Sequence, residues 1–199
     1  RYGLVGSEMC IRDSLYGEKF TILRRYKDWY KIKTSYDKYI GFIKKKKFES
    51  CVFKPTHKVS SLKAKVFLKP YKTSKVKTKL SFTSLIQVKS SNNGFFNFDN
   101  YWIQKSDVVP INYKEKIFQR IKIFRNVKYK WGGKKFDGVD CSGLIQLFYK
   151  FNNLYCPRDT GPQFKYFKKL RSIKKNAIIF WKGHVAVSYT HLRAHETVS

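Results

Sequence analysis

The sequence predicts an α+β chain, with two small β-rich units followed by a domain that mixes helices and strands. Two observations carry this reading. From Leu15 to Ile111, short runs of β-branched and aromatic residues are separated by turn residues. From Tyr113 onward the period changes, and apolar residues recur at helical spacing. At 199 residues the chain has room for two or three small domains.

The first unit, residues 15–53, contains three expected strands: Phe20–Leu23, Trp29–Lys33 and Tyr39–Ile43. Tyr16-Gly17-Glu18 and Tyr26-Lys27-Asp28 read as turns, and Lys44–Lys47 as a charged exit. Residues 54–64, with Lys54-Pro55-Thr56-His57, read as a linker. In the second unit, residues 65–111, strands are expected at Val66–Leu68, Leu85–Val88, Phe95-Phe96 and Tyr101–Ile103. Asn92-Asn93-Gly94 is a hairpin turn signal, and Asp107–Pro110 closes the unit. In residues 113–187, helices are expected over Lys114–Phe124, Cys141–Phe151 and Gln163–Leu170. Ala177–Trp181 and His184–Val187 read as strands.

The formal net charge is +30. Such a surface attracts polyanions, yet an AT-rich genome gives the same lysine-rich, Asn/Ile/Phe/Tyr-rich composition. Lysine far outnumbers arginine, which favours coding bias over selection for forked phosphate contacts. On either reading the charge suits carboxylate-bearing ligands. No apolar run is long enough to span a membrane. The four cysteines, Cys10, Cys51, Cys141 and Cys156, match no zinc or disulfide spacing, so reduced thiols, no metal and no cofactor are expected.

The two ends share an origin at the DNA level. Met9-Cys10-Ile11-Arg12-Asp13-Ser14 back-translates to ATGTGTATAAGAGACAG. The reverse complement, in one frame, encodes Val-Ser-Tyr-Thr-His, the order found at Val187–His191. This resembles a transposon adapter in two orientations. Residues 1–14 and 188–199 are therefore expected to be non-native tails, which removes Cys10, His191 and His195 from functional reasoning.

The chemistry concentrates in Tyr129-Lys130-Trp131-Gly132-Gly133, Asp137-Gly138-Val139-Asp140-Cys141-Ser142-Gly143, Pro157-Arg158-Asp159-Thr160 with Gln163, and Gly183-His184-Val185. A cysteine attacks as thiolate. Cys141 begins an apolar helix, where backbone N–H groups and the helix dipole favour an anion. An imidazole such as His184 can then hold the ion pair and protonate a leaving amine. The competing reading makes Cys141 a small core hydrophobe, but its Asp-Cys-Ser-Gly setting suits an N-terminal turn better than a core. Asp140 reads equally well as a helix N-cap, Arg158 and Asp159 as an ion pair, and Trp131, Gly132 and Gly133 as packing and turn residues.

In order and spacing, this series over Tyr113–Val187 resembles the NlpC/p60 family of cysteine peptidases. The resemblance implies a papain-like catalytic domain with Cys141 as nucleophile and His184 as base. It implies that Tyr129 lies beside the nucleophile to bind substrate or stabilise the oxyanion. It implies that Asp140 and Ser142 hold the substrate's amino terminus, with Arg158 as a further substrate-binding residue. The family's third catalytic residue would fall at Glu196 or nearby, within the adapter-like tail. Asn176-Ala177 departs from the family's Gly-Asp at that point.

The two β-rich units resemble bacterial SH3-like domains, the first through Leu15-Tyr16-Gly17-Glu18, Asp28-Trp29-Tyr30-Lys31-Ile32 and Ile40-Gly41-Phe42-Ile43. Two such units before an NlpC/p60 domain resemble γ-D-glutamyl-diamino-acid endopeptidases. That implies murein peptides as partners, no specific nucleic acid, no membrane span and a monomer, in the cytoplasm if the role is recycling. Two other readings stand beside it. One is a catalytically silent module that binds cell wall or a polyanion. The other is an acyltransferase or amidase on the same scaffold.

Overall fold

The protein is described by a computed structural model covering residues 14–44, 54–188 and 194–195. Strands β1 (Phe20–Arg25), β2 (Trp29–Thr34) and β3 (Ile40–Lys44) form an antiparallel sheet in sequential order. Within β2, Tyr30 and Ile32 turn inward, the alternation expected of a half-buried strand. Eight strands follow: β4 (His57–Val59), β5 (Lys63–Phe67), β6 (Val76–Ser81), β7 (Leu85–Ile86), β8 (Ser90–Asn92), β9 (Phe95–Phe98), β10 (Tyr101–Gln104) and β11 (Val108–Pro110). They make two antiparallel sheets, ordered β6-β5-β10-β9-β8 and β11-β4-β7. The Asn93-Gly94 turn joins β8 to β9 with both residues at positive φ, as its chemistry requires. Among the described residues these sheets are open; none closes into the barrels that the SH3 resemblance implies.

The stretch expected as a linker is a structural strand. β4 lies in the centre of its sheet, between β11 and β7. Lys58 is buried there, and its ammonium donates to the carbonyls of Tyr113, at 2.6 Å, and of Phe151. Burial lowers its pKa to about 8. The sequence signal misled because a lysine and a histidine flanked by proline and serines look solvated.

The remaining elements are a hairpin of β12 (Lys134–Lys135) and β13 (Gly138–Val139), helix α1 (Cys141–Phe151), helix α2 (Thr160–Tyr166), and a sheet of β14 (Ile178–Trp181), β15 (His184–Ser188) and β16 (Ala194–His195). Helix α1 has the span its apolar spacing predicts, and Ile145, Phe148 and Phe151 are fully buried. The helix expected over Lys114–Phe124 does not form. Turns and a short 3-10 segment, Ile121–Phe124, replace it. Phe118 sits at φ 67°, in the left-handed region, which interrupts any helix through it. Its apolar residues still face inward, since Phe118, Ile121 and Phe124 are all buried. The last expected helix, Gln163–Leu170, lies earlier, at Thr160–Tyr166. Ser188, read as part of a tail, is fully buried and completes β15. Residues 1–13, 189–193 and 196–199, on which most of the adapter reading and the Glu196 position fall, lie outside the described residues.

One core serves several parts of the chain. Phe82, from the β-rich second unit, stacks on Phe151 with ring centroids 4.7 Å apart. It also meets Phe148 and Phe124 at 5.3 and 5.8 Å. A buried phenylalanine of this kind contributes about 2–3 kcal/mol.

The first unit is tied to this body by charge and by close backbone approach. Gly17 has φ +79°, and a Cβ there would stand 2.4 Å from the Leu85 carbonyl oxygen, so only glycine fits. Glu18 accepts from the Lys134 ammonium at 2.8 and 2.9 Å and from Lys150 at 2.5 Å. Burial alone would raise the Glu18 pKa, but the two lysines outweigh it and hold it at about 2. A folded pKa depressed below the ordinary 4.5 stabilises the fold above that pH, and the gain is lost as pH falls toward about 2. Glu18→Gln should cost on the order of 3 kcal/mol at neutral pH. Urea midpoints of the two proteins should converge on acidification through that window. A gap that stays constant with pH would contradict this account.

Candidate active site

The site is built on the first turn of α1. Asp140 has extended backbone, φ −93° and ψ 169°, and caps the helix by accepting from the Gly143 N–H at 2.6 Å. Its other oxygen accepts from the Gly132 N–H at 2.8 Å. Arg158 grips the same carboxylate with both ends of its fork, at 2.8 and 2.7 Å. The guanidinium also donates to the Ser142 hydroxyl at 3.0 Å and to the Gly133 carbonyl at 3.3 Å. Gly143 is required for this packing, because a Cβ there would lie 2.6 Å from the Gly133 oxygen.

The family resemblance implies substrate-binding roles for Asp140, Ser142 and Arg158. In the fold all three are buried, at 3, 5 and 4 % exposure, with their polar groups turned on one another. This geometry accounts for them as the frame that fixes the start of α1. Asp140 is the N-cap that its position allows. Arg158 forms its ion pair with Asp140, 18 residues away in sequence. Trp131, read as a packing residue, is instead 61 % exposed.

Cys141 follows the cap and is 5 % exposed, in the core cluster with Val185 and Val187 of β15. Its sulfur lies 3.9 Å from the Thr160 hydroxyl. His184 opens β15 directly after Gly183, whose φ of +75° makes the tight turn from Trp181. The His184 ring stands 4.9 Å from that of Trp181 and 6.4 Å from that of Tyr129. Burial raises the Tyr129 pKa first, and the neighbouring Cys141 and Asp140 raise it further, Cys141 also through a hydrogen bond. Tyr129 therefore neighbours Cys141, and its ring stands 6.4 Å from that of His184. The structure thus places Tyr129 beside Cys141 and within ring distance of His184, with Asp140, Ser142 and Arg158 packed around the start of α1.

Thr160 stands in the Pro-Arg-Asp-Thr motif, but sequence alone gives it no role; only the fold turns the start of α2 toward the sulfur. A hydroxyl there can donate to a thiolate. Thr160→Val should slow alkylation of Cys141 by iodoacetamide near neutral pH by about threefold, and Thr160→Ser should restore it. Peptide mapping reads the modified residue; equal rates in all three proteins would remove Thr160 from the site. Cys156 supplies the internal contrast: it is fully buried, and burial raises its pKa to about 12.

A cleft of about 520 Å³ lies elsewhere, lined by Glu18, Tyr36, Asp37, Lys150 and Leu154 among others, with neither Cys141 nor His184 on its walls. That cleft is therefore separate from Cys141 and His184. Among the described residues no group of three or more His, Cys, Asp or Glu side chains could hold a metal ion. No helix among them is long and apolar enough to cross a membrane.

Comparison with known proteins follows the same lines. Residues 126–194 match the NlpC/P60 family. Over 184 residues the chain is 29% identical to gamma-D-glutamyl-L-lysine dipeptidyl-peptidase of Bacillus subtilis (strain 168), covering 83% of this chain and 61% of that protein. It is 32% identical over 79 residues to dipeptidyl-peptidase 6 of Lysinibacillus sphaericus, covering 38% of this chain and 29% of that one. The chain thus spans about three fifths of the first relative's length and less of the second. The fold is similar to the crystal structure of an NlpC/P60 family protein from Bacillus cereus ATCC 10987. The TM-score is 0.73 at 21% identity, covering 87% of this chain and 68% of that chain. The curated relatives named here are both peptidases by name.

Proposed function

We propose that this chain is a cysteine peptidase that hydrolyses the bond between γ-D-glutamate and the following diamino acid in murein peptides. The observation that supports it most is local. A thiol at a capped helix start neighbours the Tyr129 phenol, whose ring stands 6.4 Å from that of His184 on β15. The name of the first curated relative supports the substrate class.

In this reading the Cys141 thiolate attacks the γ-carbonyl carbon of D-glutamate. The Cys141 N–H and the Tyr129 hydroxyl donate to the oxyanion. Collapse breaks the amide bond and expels the amine of the diamino acid, which takes its proton from His184. Water, deprotonated by His184, then cleaves the thioester and returns the free thiol. Asp140, Ser142 and Arg158 hold the helix start, and hence the sulfur, in place. The two β-rich units act as SH3-like walls that restrict the peptides admitted.

The direct test is incubation of the full chain with L-Ala-γ-D-Glu-L-Lys and chromatography of the products. Release of free lysine with L-Ala-γ-D-Glu is the expected result. An intact tripeptide after prolonged incubation with folded protein counts against the proposal.

A further inference from the structure

From Ser50 to Phe98 the sequence holds ten lysines and no Asp or Glu. Seven of these lysines fall in the single stretch from Lys63 to Ser81, which forms β5, its connecting loop and β6. Coding bias can enrich lysine, but it does not choose which face of a strand receives it. Here the choice is regular. Along β5, Ala64 and Val66 are buried while Lys63 and Lys65 are exposed. Along β6, Lys77 and Lys79 share one face and are exposed, Leu80 on the other face is buried, and Val76 and Thr78 toward the strand's start are exposed too. The register sets Lys65 directly opposite Lys79. Like charges so placed cost stability, and a surface meant only for solubility mixes its signs. No carboxylate among the described residues pairs with Lys65, Lys77 or Lys79. Among the described residues strand β6 is moreover a sheet edge.

We propose that this face binds a linear polymer carrying repeated phosphate groups and no bases. Repeated phosphates match a row of amine point charges, and the stretch holds no arginine to fork onto single groups. The outward side chains of the two strands include no aromatic ring on which a nucleobase could stack. The Lys63 ammonium lies 4.9 Å from the centre of the Phe136 ring, in the β12–β13 hairpin that leads into Cys141. The bound polymer therefore runs beside the catalytic unit. The face stands apart from the peptidase chemistry, and its binding can be measured whether or not the protein hydrolyses peptides.

The experiment titrates the full chain with linear inorganic polyphosphate at several salt concentrations, with oligothymidylate as a second probe. Lys63→Gln/Lys65→Gln/Lys77→Gln/Lys79→Gln should weaken polyphosphate binding at least about tenfold at low salt. It should also flatten the dependence of log affinity on log salt by about 3. A variant with the same charge change elsewhere, Lys114→Gln/Lys116→Gln/Lys168→Gln/Lys175→Gln, should lose only about threefold. If the fourfold face variant does not fold, Lys65→Gln/Lys79→Gln alone should give about half of the change in slope. Equal losses in the face and control variants would overturn the proposal in favour of bulk charge. Absence of polyphosphate binding, or tighter binding of oligothymidylate, would overturn it as well.

Discussion

Cys141→Ala is expected to lower hydrolysis of L-Ala-γ-D-Glu-L-Lys by roughly 10⁴-fold or more, because it removes the sulfur that forms the acyl-enzyme in the proposed reaction. The sulfur is small and lies on the first turn, and Asp140 caps the helix through the Gly143 N–H, which the substitution leaves alone. Thermal unfolding should therefore stay close to that of the parent. The measurement is release of free lysine under initial-rate conditions, with unfolding followed in parallel. A variant that keeps its fold and loses the rate assigns the chemistry to the thiol. A variant that keeps the rate would mean that Cys141 is a core residue and that hydrolysis arises elsewhere. The only other cysteine among the described residues is poorly suited to take over, since Cys156 is sealed in the core and protonated at neutral pH.

The second large effect is structural in origin. Arg158→Met removes the partner of a carboxylate that is 3 % exposed and keeps the approximate volume of the side chain. Breaking a buried pair from one side strands the remaining charge, at about 3–5 kcal/mol. Asp140 would keep its bonds from Gly132 and Gly143 but lose both guanidinium contacts. The expected outcome is a lower urea midpoint together with a loss of activity. Arg158→Lys should recover part of the stability but not the two-pronged geometry. The double variant Arg158→Met/Asp140→Asn should be more stable than Arg158→Met alone, because the stranded charge is gone. If Arg158→Met unfolds with the parent, the pair contributes nothing and the frame around Cys141 has another source.

Helix α1 was legible because its apolar residues keep one period through eleven positions and its cap stands at the right place. The order of the motifs also singled out Cys141, His184 and Tyr129, and the fold sets Tyr129 beside Cys141. Helical spacing misled at Lys114–Phe124, where three inward residues satisfy the same pattern from a chain broken at Phe118. Spacing reports which residues face inward and not the path between them. Strand β4 was hidden because Lys58 looks solvated in sequence, and its carbonyl partners, Tyr113 and Phe151, are distant in the chain. The Asp140–Arg158 pair and the proximity of Thr160 were hidden for the same reason. Residue identity tells what a side chain can bond; only the fold tells what it meets.

The contact of Phe82 with Phe124, Phe148 and Phe151 bears on how such a chain can be divided. A seam drawn by residue number between the β-rich part and the helical part runs through the middle of an oily cluster. Lifting out the helical segment for grafting or crystallisation would leave a greasy scar where the Phe82 ring had been. The workable excision unit therefore includes β4 to β7, and swapping that piece between relatives succeeds only where the aromatic at position 82 travels with its three companions.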